Sequence, residues 1–567
     1  MKTKYKYFIL IFVTVLACVL IYNFVEENTM VDKTVDILSF QKNVESDIVK
    51  DNNYSIDNPK VILNPYEISP LTALVVFKTN DLASATVTVK GKGGDEDISN
   101  VFVPSKEHYI TIYGLYPDCE NTVIISCSGE KKVLKIKTSA LDDNIKNAET
   151  FESNTGDFYF TTSIDGYPIA YDKNGTVRWY LNKKYTFDFT RLSNGYILLG
   201  NSSLIKDPYY SSGLVEMDLL GKVYYEYNVP GGYHHDVFEK TDGNLLLLSN
   251  DFSNKTKEDL IVEVDRNTGG IVKEFNLSKL FKGNKGDWIG LNSILYNASS
   301  NSILAASYKK DMIVNIDYNS GEINWIIGDN IDSKYKKYAL EGSNEIEFPI
   351  KPEAITLIDG NNFAYINQKN DENHLIIYDV NTAERTFEEA SNTNLGPSEG
   401  SSNLVYDDGY FLVVQGNKIK KLKDDELSLV MKVNSNLYSA KATKMYAGDI
   451  YMINDGVRLG DTGITPTVKD PFIIFYHKDK SIFKKYNLSF NVDANRLAVT
   501  GTFSKNDDVQ IILDNVLSKK TYQVTAGSSK KSRTTTYINK KGVYGKYYIY
   551  LKINGKIYKL SKYVVMS

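Results

Sequence analysis

An internal repeat constrains how this chain folds more than any single motif does. A strand that ends in an aspartate and restarts after a glycine recurs along the chain. It appears as Ile169-Ala170-Tyr171-Asp172 with Gly175, Val215-Glu216-Met217-Asp218 with Gly221, and Val262-Glu263-Val264-Asp265 with Gly269. It returns as Val314-Asn315-Ile316-Asp317 with Gly321 and as Ile376-Ile377-Tyr378-Asp379. The five aspartates lie 46, 47, 52 and 62 residues apart. Between them, tight-turn residues precede apolar runs: Asn194-Gly195 before Tyr196 to Leu199, Asp242-Gly243 before Asn244 to Leu248, and Asp408-Gly409 before Tyr410 to Val414. Asn and Gly supply the positive φ that such hairpins need. Four short strands every 45 to 60 residues predict a β-propeller. A solenoid is the alternative, but the unequal unit length argues against it. Five units are clear, a weaker one spans Lys418 to Asn454, and closing strands are expected around Phe472 to Tyr476. The expectation is therefore six blades over residues 150–487.

The flanks read differently. Residues 60–140 hold alternating runs such as Ala85 to Val89 and Val133 to Thr138 separated by turn residues, which predicts an N-terminal β-sandwich. Residues 488–567 carry Val509 to Leu513 and Tyr548 to Ile553, then Asn554-Gly555 and Lys556 to Tyr563; the Asn-Gly marks a hairpin, and a small C-terminal β-sandwich is expected. Residues 26–59 are polar and read as a stalk, with room for one helix over Val31 to Val49. Residues 1–25 place Lys2, Lys4 and Lys6 before an apolar run from Phe8 to Val25, with Glu26 and Glu27 after it. That pattern predicts an N-terminal membrane-anchor helix with the bulk of the chain outside the cytoplasm. A cleaved signal peptide and a lipidated Cys18 are the alternatives. The fold class expected is thus all-β: a six-bladed β-propeller between two β-sandwiches, anchored at its N-terminus.

Charge and the scarce residues limit the chemistry. Lys and Arg total 66 against 70 Asp and Glu, a net charge of −4, which speaks against a nucleic-acid partner. There are 5 His and no Cys or His spacing that resembles a zinc site, so no metal is expected. Cys119 and Cys127 stand at the two ends of one expected strand, too far apart to bridge.

Several segments together resemble one family. Asn64-Pro65-Tyr66, Ile68-Ser69-Pro70-Leu71-Thr72 and Ile112-Tyr113-Gly114-Leu115-Tyr116-Pro117 resemble the N-terminal domain of the aryl-sulfate sulfotransferases. Tyr233-His234-His235-Asp236-Val237 is similar to their first active-site segment; Asp287-Trp288, Asn292-Ser293 and Tyr296-Asn297 resemble the second, and Gly321-Glu322-Ile323 with Trp325 the strand after it. The resemblance covers roughly residues 60–485. It implies an exported six-bladed propeller that moves a sulfuryl group from a phenolic sulfate ester to another phenol, through a transiently sulfurylated histidine and without a nucleotide donor or other cofactor. In that chemistry an imidazole nitrogen attacks sulfur and splits one difficult transfer into two. Cationic and hydrogen-bonding groups hold the sulfuryl oxygens and the leaving phenolate.

Carried over by position, the family's groups fall on His235 and Asn292, which are kept, and on Gly290, Tyr308 and Glu353, which replace a histidine, an arginine and the nucleophilic histidine. His235, Asn292, Tyr308 and Glu353 are the candidate catalytic positions; His234, Asp236, Gly290 and Lys309 are candidate substrate contacts. A glutamate in the nucleophile's place would repel an anionic ester and form a reactive mixed anhydride. Weak or lost sulfuryl transfer is the expectation. The alternative is a surface-anchored propeller that binds a small aromatic, anionic or cell-surface ligand without turning it over. Expected partners are a small aromatic or sulfated ligand and, through the anchor, a membrane; the sequence leaves the oligomeric state open.

Overall fold

A computed structural model describes residues 33–566 apart from short internal stretches and the longer ones at 448–455 and 460–480. The described chain is built mainly of β-strands with few helices. Between Phe158 and Thr443 six antiparallel sheets follow one another. The first joins Phe158–Ser163, Ile169–Tyr171 and Val177–Tyr180 to Leu437–Thr443. The second holds Thr186–Arg191, Ile197–Gly200, Leu204–Lys206, Tyr210–Met217 and Val223–Tyr233. The third holds Val237–Glu239, Leu245–Ser249, Leu260–Val264 and Ile271–Asn276, and the fourth Leu291–Asn297, Ser302–Ser307, Met312–Asp317 and Ile323–Gly328. The fifth runs Glu353–Leu357, Asn362–Lys369, Glu372–Asn381 and Thr386–Pro397, with Glu341–Gly342 added in parallel. The sixth runs Ser402–Asp407, Tyr410–Gln415, Lys418–Lys423 and Glu426–Lys432, extended by Glu149–Thr150.

The repeated aspartates have a local physical role. Three of the five, Asp172, Asp218 and Asp317, stand at the end of a strand and accept hydrogen bonds from the turn that follows. Asp172 Oδ1 accepts from the backbone N–H of Asn174 and Thr176, both at 3.0 Å, while Gly175 N donates to the Asp172 carbonyl at 2.9 Å. Asp218 Oδ1 accepts from Lys222 N at 3.0 Å, and Asp317 Oδ1 from Ser320 N at 2.7 Å. The glycines at 175, 221 and 321 all take positive φ, the conformation such turns require. Apolar residues then bury on both sheet faces. Leu245 to Leu248 are fully buried, each contributing about 1.5–3 kcal/mol relative to exposure.

The first strands of neighbouring sheets lie side by side, with Leu437–Thr443 between Ser402–Asp407 and Thr186–Arg191. Residues from all six line one cavity of about 220 Å³, from Asp188 on the second sheet round to Lys441 on the first. The chain closes on itself at Leu437–Thr443, which pairs antiparallel with Phe158–Ser163. That is earlier than the sequence reading placed it, and Phe472 to Tyr476 lie outside the described residues. The physical reason is the strand's composition: Leu437-Tyr438-Ser439-Ala440-Lys441-Ala442-Thr443 is small and polar because it borders a cavity, so it lacks the β-branched run that marks a strand.

Ahead of these sheets, Lys60–Leu63, Ala73–Ala83 and Ser105–Ile112 form one sheet, and Ile98–Val101, Ala85–Val89, Glu120–Cys127 and Glu130–Lys137 another. Arg178 ties this unit to the first of the six sheets. Its buried guanidinium donates to the Gly114 carbonyl at 2.6 and 3.1 Å, pairs with Asp172 at 3.2 Å and lies 3.4 Å from the Tyr116 ring centroid. Cys119 and Cys127 are free. Residues Lys33–Lys50 form a helix that docks on the second sheet: Gln41 exchanges hydrogen bonds of 3.0 and 2.7 Å with the Val223 backbone, and Glu45 pairs with Lys222 at 2.7 Å. After residue 480 two further sheets appear, one around Arg496–Phe503 and one around Val509–Asn515 and Gly545–Ile553, where Ile553 opposes Lys556. The expected anchor, Phe8 to Val25, lies outside the described residues. Among the described residues no helix is long and apolar enough to cross a membrane.

Candidate active site

The segments that lead into the first strands gather at one end of the 220 Å³ cavity and enclose a pocket of about 420 Å³. Four of these segments carry a residue with left-handed backbone there: Phe187 at φ 56°, His235 at 54°, Gly290 at 58° and Ala354 at 53°. Three are not glycine, and such conformations persist only where surrounding contacts impose them. His235, Asp236, Gly290, Asn292, Tyr308, Lys309 and Glu353 all line the pocket, although the chain separates the first from the last by more than a hundred residues. The eighth candidate, His234, does not. It is fully buried behind His235 and contacts protein only.

The two histidines define each other's protons. His234 Nε2 lies 3.0 Å from the Ser249 carbonyl oxygen, which can only accept, so His234 Nε2 carries a hydrogen. His234 Nδ1 is then the acceptor for His235 Nδ1–H at 2.9 Å. Nε2 of His235 is left as the lone-pair nitrogen of a neutral ring. Enclosure by protein, countered in part by Asp287, holds the His235 imidazole below its ordinary value, even though the ring is open to the pocket. His235 also packs on Phe187, with ring centroids 5.4 Å apart, and Phe187 on Tyr438 at 5.6 Å.

The carboxyl groups behave unusually. Asp236 Oδ2 accepts from Ile294 N at 2.7 Å and from the Ser293 hydroxyl at 3.0 Å, and Ser293 Oγ accepts from Ile355 N at 2.9 Å. This links the first strands of three sheets. Burial raises Asp236 above the ordinary carboxylate range, and burial together with the Asp236 charge raises Asp188. Glu353 is pushed up to about 7 by burial, against a hydrogen bond from Ser402 and the charge of Lys351. Among the described residues Lys309 pairs with Asp287, and the Lys351 ammonium is 5.8 Å from the Tyr308 ring centroid. The Tyr308 hydroxyl donates to Gln368 at 3.4 Å. At position 290 a Cβ would stand 3.0 Å from Lys309 Cγ in a left-handed conformation, so the space and backbone there suit glycine.

Phe187, Asp188, Glu258, Asn403 and Tyr438 also line the pocket and escaped sequence reasoning. Phe187, Asp188 and Asn403 had position as their one signal, since each sits where a repeat unit begins as His235 does; Glu258 precedes the third strand of its sheet, and Tyr438 lies on the last strand of the repeat region. No group of three or more His, Cys, Asp or Glu among the described residues is arranged to hold a metal ion.

Comparison with known proteins agrees with this arrangement of the chain. Residues 142–407 match the model of the arylsulfotransferase (ASST) family, and residues 60–142 match the arylsulfotransferase Ig-like domain. The arylsulfate sulfotransferase AssT of Escherichia coli O6:H1 is 24% identical over 295 residues, covering 39% of this chain and 48% of that protein. The arylsulfate sulfotransferase AssT of Lelliottia amnigena is 21% identical over 296 residues with the same coverage. The matched region thus spans about half the length of these curated relatives. By its two matched domains, in order and side by side, the chain belongs to the arylsulfotransferase family.

Proposed function

We propose that the six sheets are the blades of a six-bladed β-propeller over residues 150–487, flanked by β-sandwiches at 60–140 and 488–567 and held at the outer face of a membrane by Phe8 to Val25. The pocket around His235 is its reaction site, and its ligand is a small aromatic molecule. Sulfuryl transfer there is weak or lost. The observation that carries this reading is the lining of the pocket: the positions that would present an arginine and two histidines present Tyr308, Glu353 and Gly290, and the lysine beside them, Lys309, is already paired with Asp287.

The chemistry follows from that lining. His235 offers a neutral nitrogen, so attack on sulfur is available in principle. The negative charge on the sulfuryl oxygens then meets no guanidinium among the described lining residues, and loss of one such group costs about 2.7–4 kcal/mol of transition-state stabilisation. Glu353 holds its proton to about pH 7, so it repels an anionic ester above that pH and is a poor nucleophile below it. No cofactor and no nucleic acid enter this reading. The test is release of nitrophenolate from 4-nitrophenyl sulfate with a phenol acceptor. The reading expects little or none above background; robust, acceptor-dependent release that His235→Ala abolishes would overturn it.

A further inference from the structure

The charge of the pocket points away from a simple anionic ligand. Among the described residues five carboxyl groups line it, from Asp188, Asp236, Glu258, Asp287 and Glu353, against one lysine that Asp287 already neutralises. The apolar walls are aromatic: Phe187, Tyr308 and Tyr438. A second, independent feature has the same sign. Asn292 Oδ1 is closed to solvent and has no hydrogen-bond donor, although its residue lines the pocket. An acceptor left this way costs about 1–3 kcal/mol, and a ligand in the pocket would supply the donor once the Asn292 side chain turns to expose Oδ1. His235 Nε2, by the tautomer derived above, is a further acceptor. Among the described residues the lining therefore carries more acceptors and carboxyls than cations: Asp188, Asp236 and Glu353 accept from neutral donors, at Ser439, at Ile294 and Ser293, and at Ser402, and form no ion pair.

We propose that this pocket recognises an aromatic ammonium cation, its N–H groups directed to Asp188, Glu353 and Asn292 and its ring set against Phe187, Tyr308 and Tyr438. The inference rests on the reading that this pocket is the chain's ligand site, and it holds whether or not sulfuryl transfer survives there. An aryl sulfate that also bears an ammonium group satisfies both. A bare aryl sulfate meets carboxyls with no cation to offset them. Aromatic faces add attraction for a desolvated cation.

A pH dependence follows. With no cation present, the carboxyls of Asp188, Asp236 and Glu353 keep their protons beyond the ordinary range. An ammonium ligand needs them ionised, so binding releases protons and tightens as pH rises. The other charged groups facing them are Lys441 below Asp188, Lys351 beside Glu353, Glu258, and the Lys309–Asp287 pair. His235 is neutral across that range and does not compete.

The experiment is calorimetric titration of the full chain with 2-phenylethylammonium and, as its charge-reversed counterpart, 3-phenylpropanoate. At about pH 8 the ammonium should bind at least about ten-fold tighter than the carboxylate. Its affinity should fall several-fold at about pH 5.5, and Asp188→Asn and Glu353→Gln should each weaken it about three- to ten-fold. A carboxylate that binds as tightly as the ammonium, no measurable ammonium binding, or an affinity untouched by both substitutions would each overturn the proposal. The preference of the unsubstituted protein decides the matter even if a variant fails to fold. Robust 4-nitrophenyl sulfate turnover would overturn the weak-transfer reading alone, and absent ammonium binding the cation preference alone.

Discussion

Two sets of buried carboxyl groups in this molecule meet opposite fates. Around the turns of the second and third sheets Glu216, Glu239, Asp242 and Glu263 each have a cation, while the buried Asp218 relies on hydrogen bonds from Lys222 N and the Tyr224 hydroxyl and is raised by burial. Lys240 bridges Glu263 at 2.9 Å and Asp242 at 3.0 Å, and Arg266 bridges Glu216 at 2.6 Å and Glu239 at 2.8 Å. Tyr318 adds a hydroxyl that donates to Glu263 at 2.6 Å. Burial alone would lower Lys240 and Arg266, but these partners outweigh it and hold both above their ordinary values. In the pocket, Asp188, Asp236 and Glu353 have no ion pair among those of the described residues, and burial moves them the other way, toward the neutral acid. The pocket acids thus stand apart from the ion-paired set in lacking a paired cation while facing a cavity that a ligand can enter.

That contrast can be broken at either end. The largest effect should come from Lys240→Met, which strands Glu263, only 1% exposed, without its cation. Loss of about 3–5 kcal/mol in urea unfolding is expected, since breaking one partner of a buried pair leaves an uncompensated charge. A loss below about 1 kcal/mol would mean that the outer network is no more structural than the pocket. Next comes the addition of cationic and nucleophilic groups to the pocket. Tyr308→Arg with Glu353→His should raise 4-nitrophenyl sulfate turnover by more than the two single changes together, by on the order of 10² if the arginine meets the sulfuryl oxygens. Adding Gly290→His to complete the triple change should gain less than its chemistry suggests, because a left-handed residue other than glycine costs about 1–2 kcal/mol. Simple additivity in the double variant would show that these positions do not act as a unit.

Smaller effects sharpen the comparison. Glu353 titrates at about 7 in the folded chain and near 4.5 as an ordinary glutamate, so the folded state binds the extra proton. Its stabilising contribution is complete below about pH 4.5 and is lost as pH rises through 7. Glu353→Gln should therefore flatten the fall in melting temperature between about pH 5 and pH 8.5, and melt a few degrees higher, roughly, at the upper end. An unchanged pH profile would place the Glu353 proton elsewhere. The smallest effect is expected for Lys309→Met. The pair with Asp287 is a third exposed on both sides, so stability should change by about 0–1 kcal/mol in urea unfolding.

Much of the architecture was legible because it is written locally. Asp172, Asp218 and Asp317 recur at blade-like intervals since each caps the turn after its strand, and Asn194 and Asp242 do the same for the preceding hairpin, accepting from Tyr196 N and Asn244 N at 3.0 Å each. Short-range hydrogen bonds leave short-range sequence patterns. The strand Leu437–Thr443 left none, because its partner Phe158–Ser163 lies at the other end of the repeat region and its composition answers to a cavity. The site divides in the same way. His235, Asn292, Tyr308 and Glu353 could be placed from family segments, and they do share a pocket. Asp188 and Tyr438 could not, since nothing near them in sequence says that Phe189 N will meet Ser439 Oγ at 3.0 Å across 250 residues. The role of His234 was also invisible: adjacency to His235 suggested a second ligand contact, whereas His234 is fully buried and fixes its neighbour's tautomer, and the left-handed backbone of His235 sets that ring apart in the pocket.

The central claim is that the pocket acids keep their protons near neutrality because no cation accompanies them, and infrared titration of the protonated carboxyl C=O band tests it most directly. Spectra of the unsubstituted protein and of the Asp188→Asn, Glu353→Gln double variant would be compared from about pH 5 to about pH 9. The account predicts a protonated-acid band in the unsubstituted protein that falls as Glu353 titrates at about pH 7, and that is weaker in the double variant by the shares of Asp188 and Glu353, with Asp236 still protonated beyond the ordinary range. A protein whose acids are all ionised by about pH 5, or a band that survives both substitutions unchanged, would contradict it.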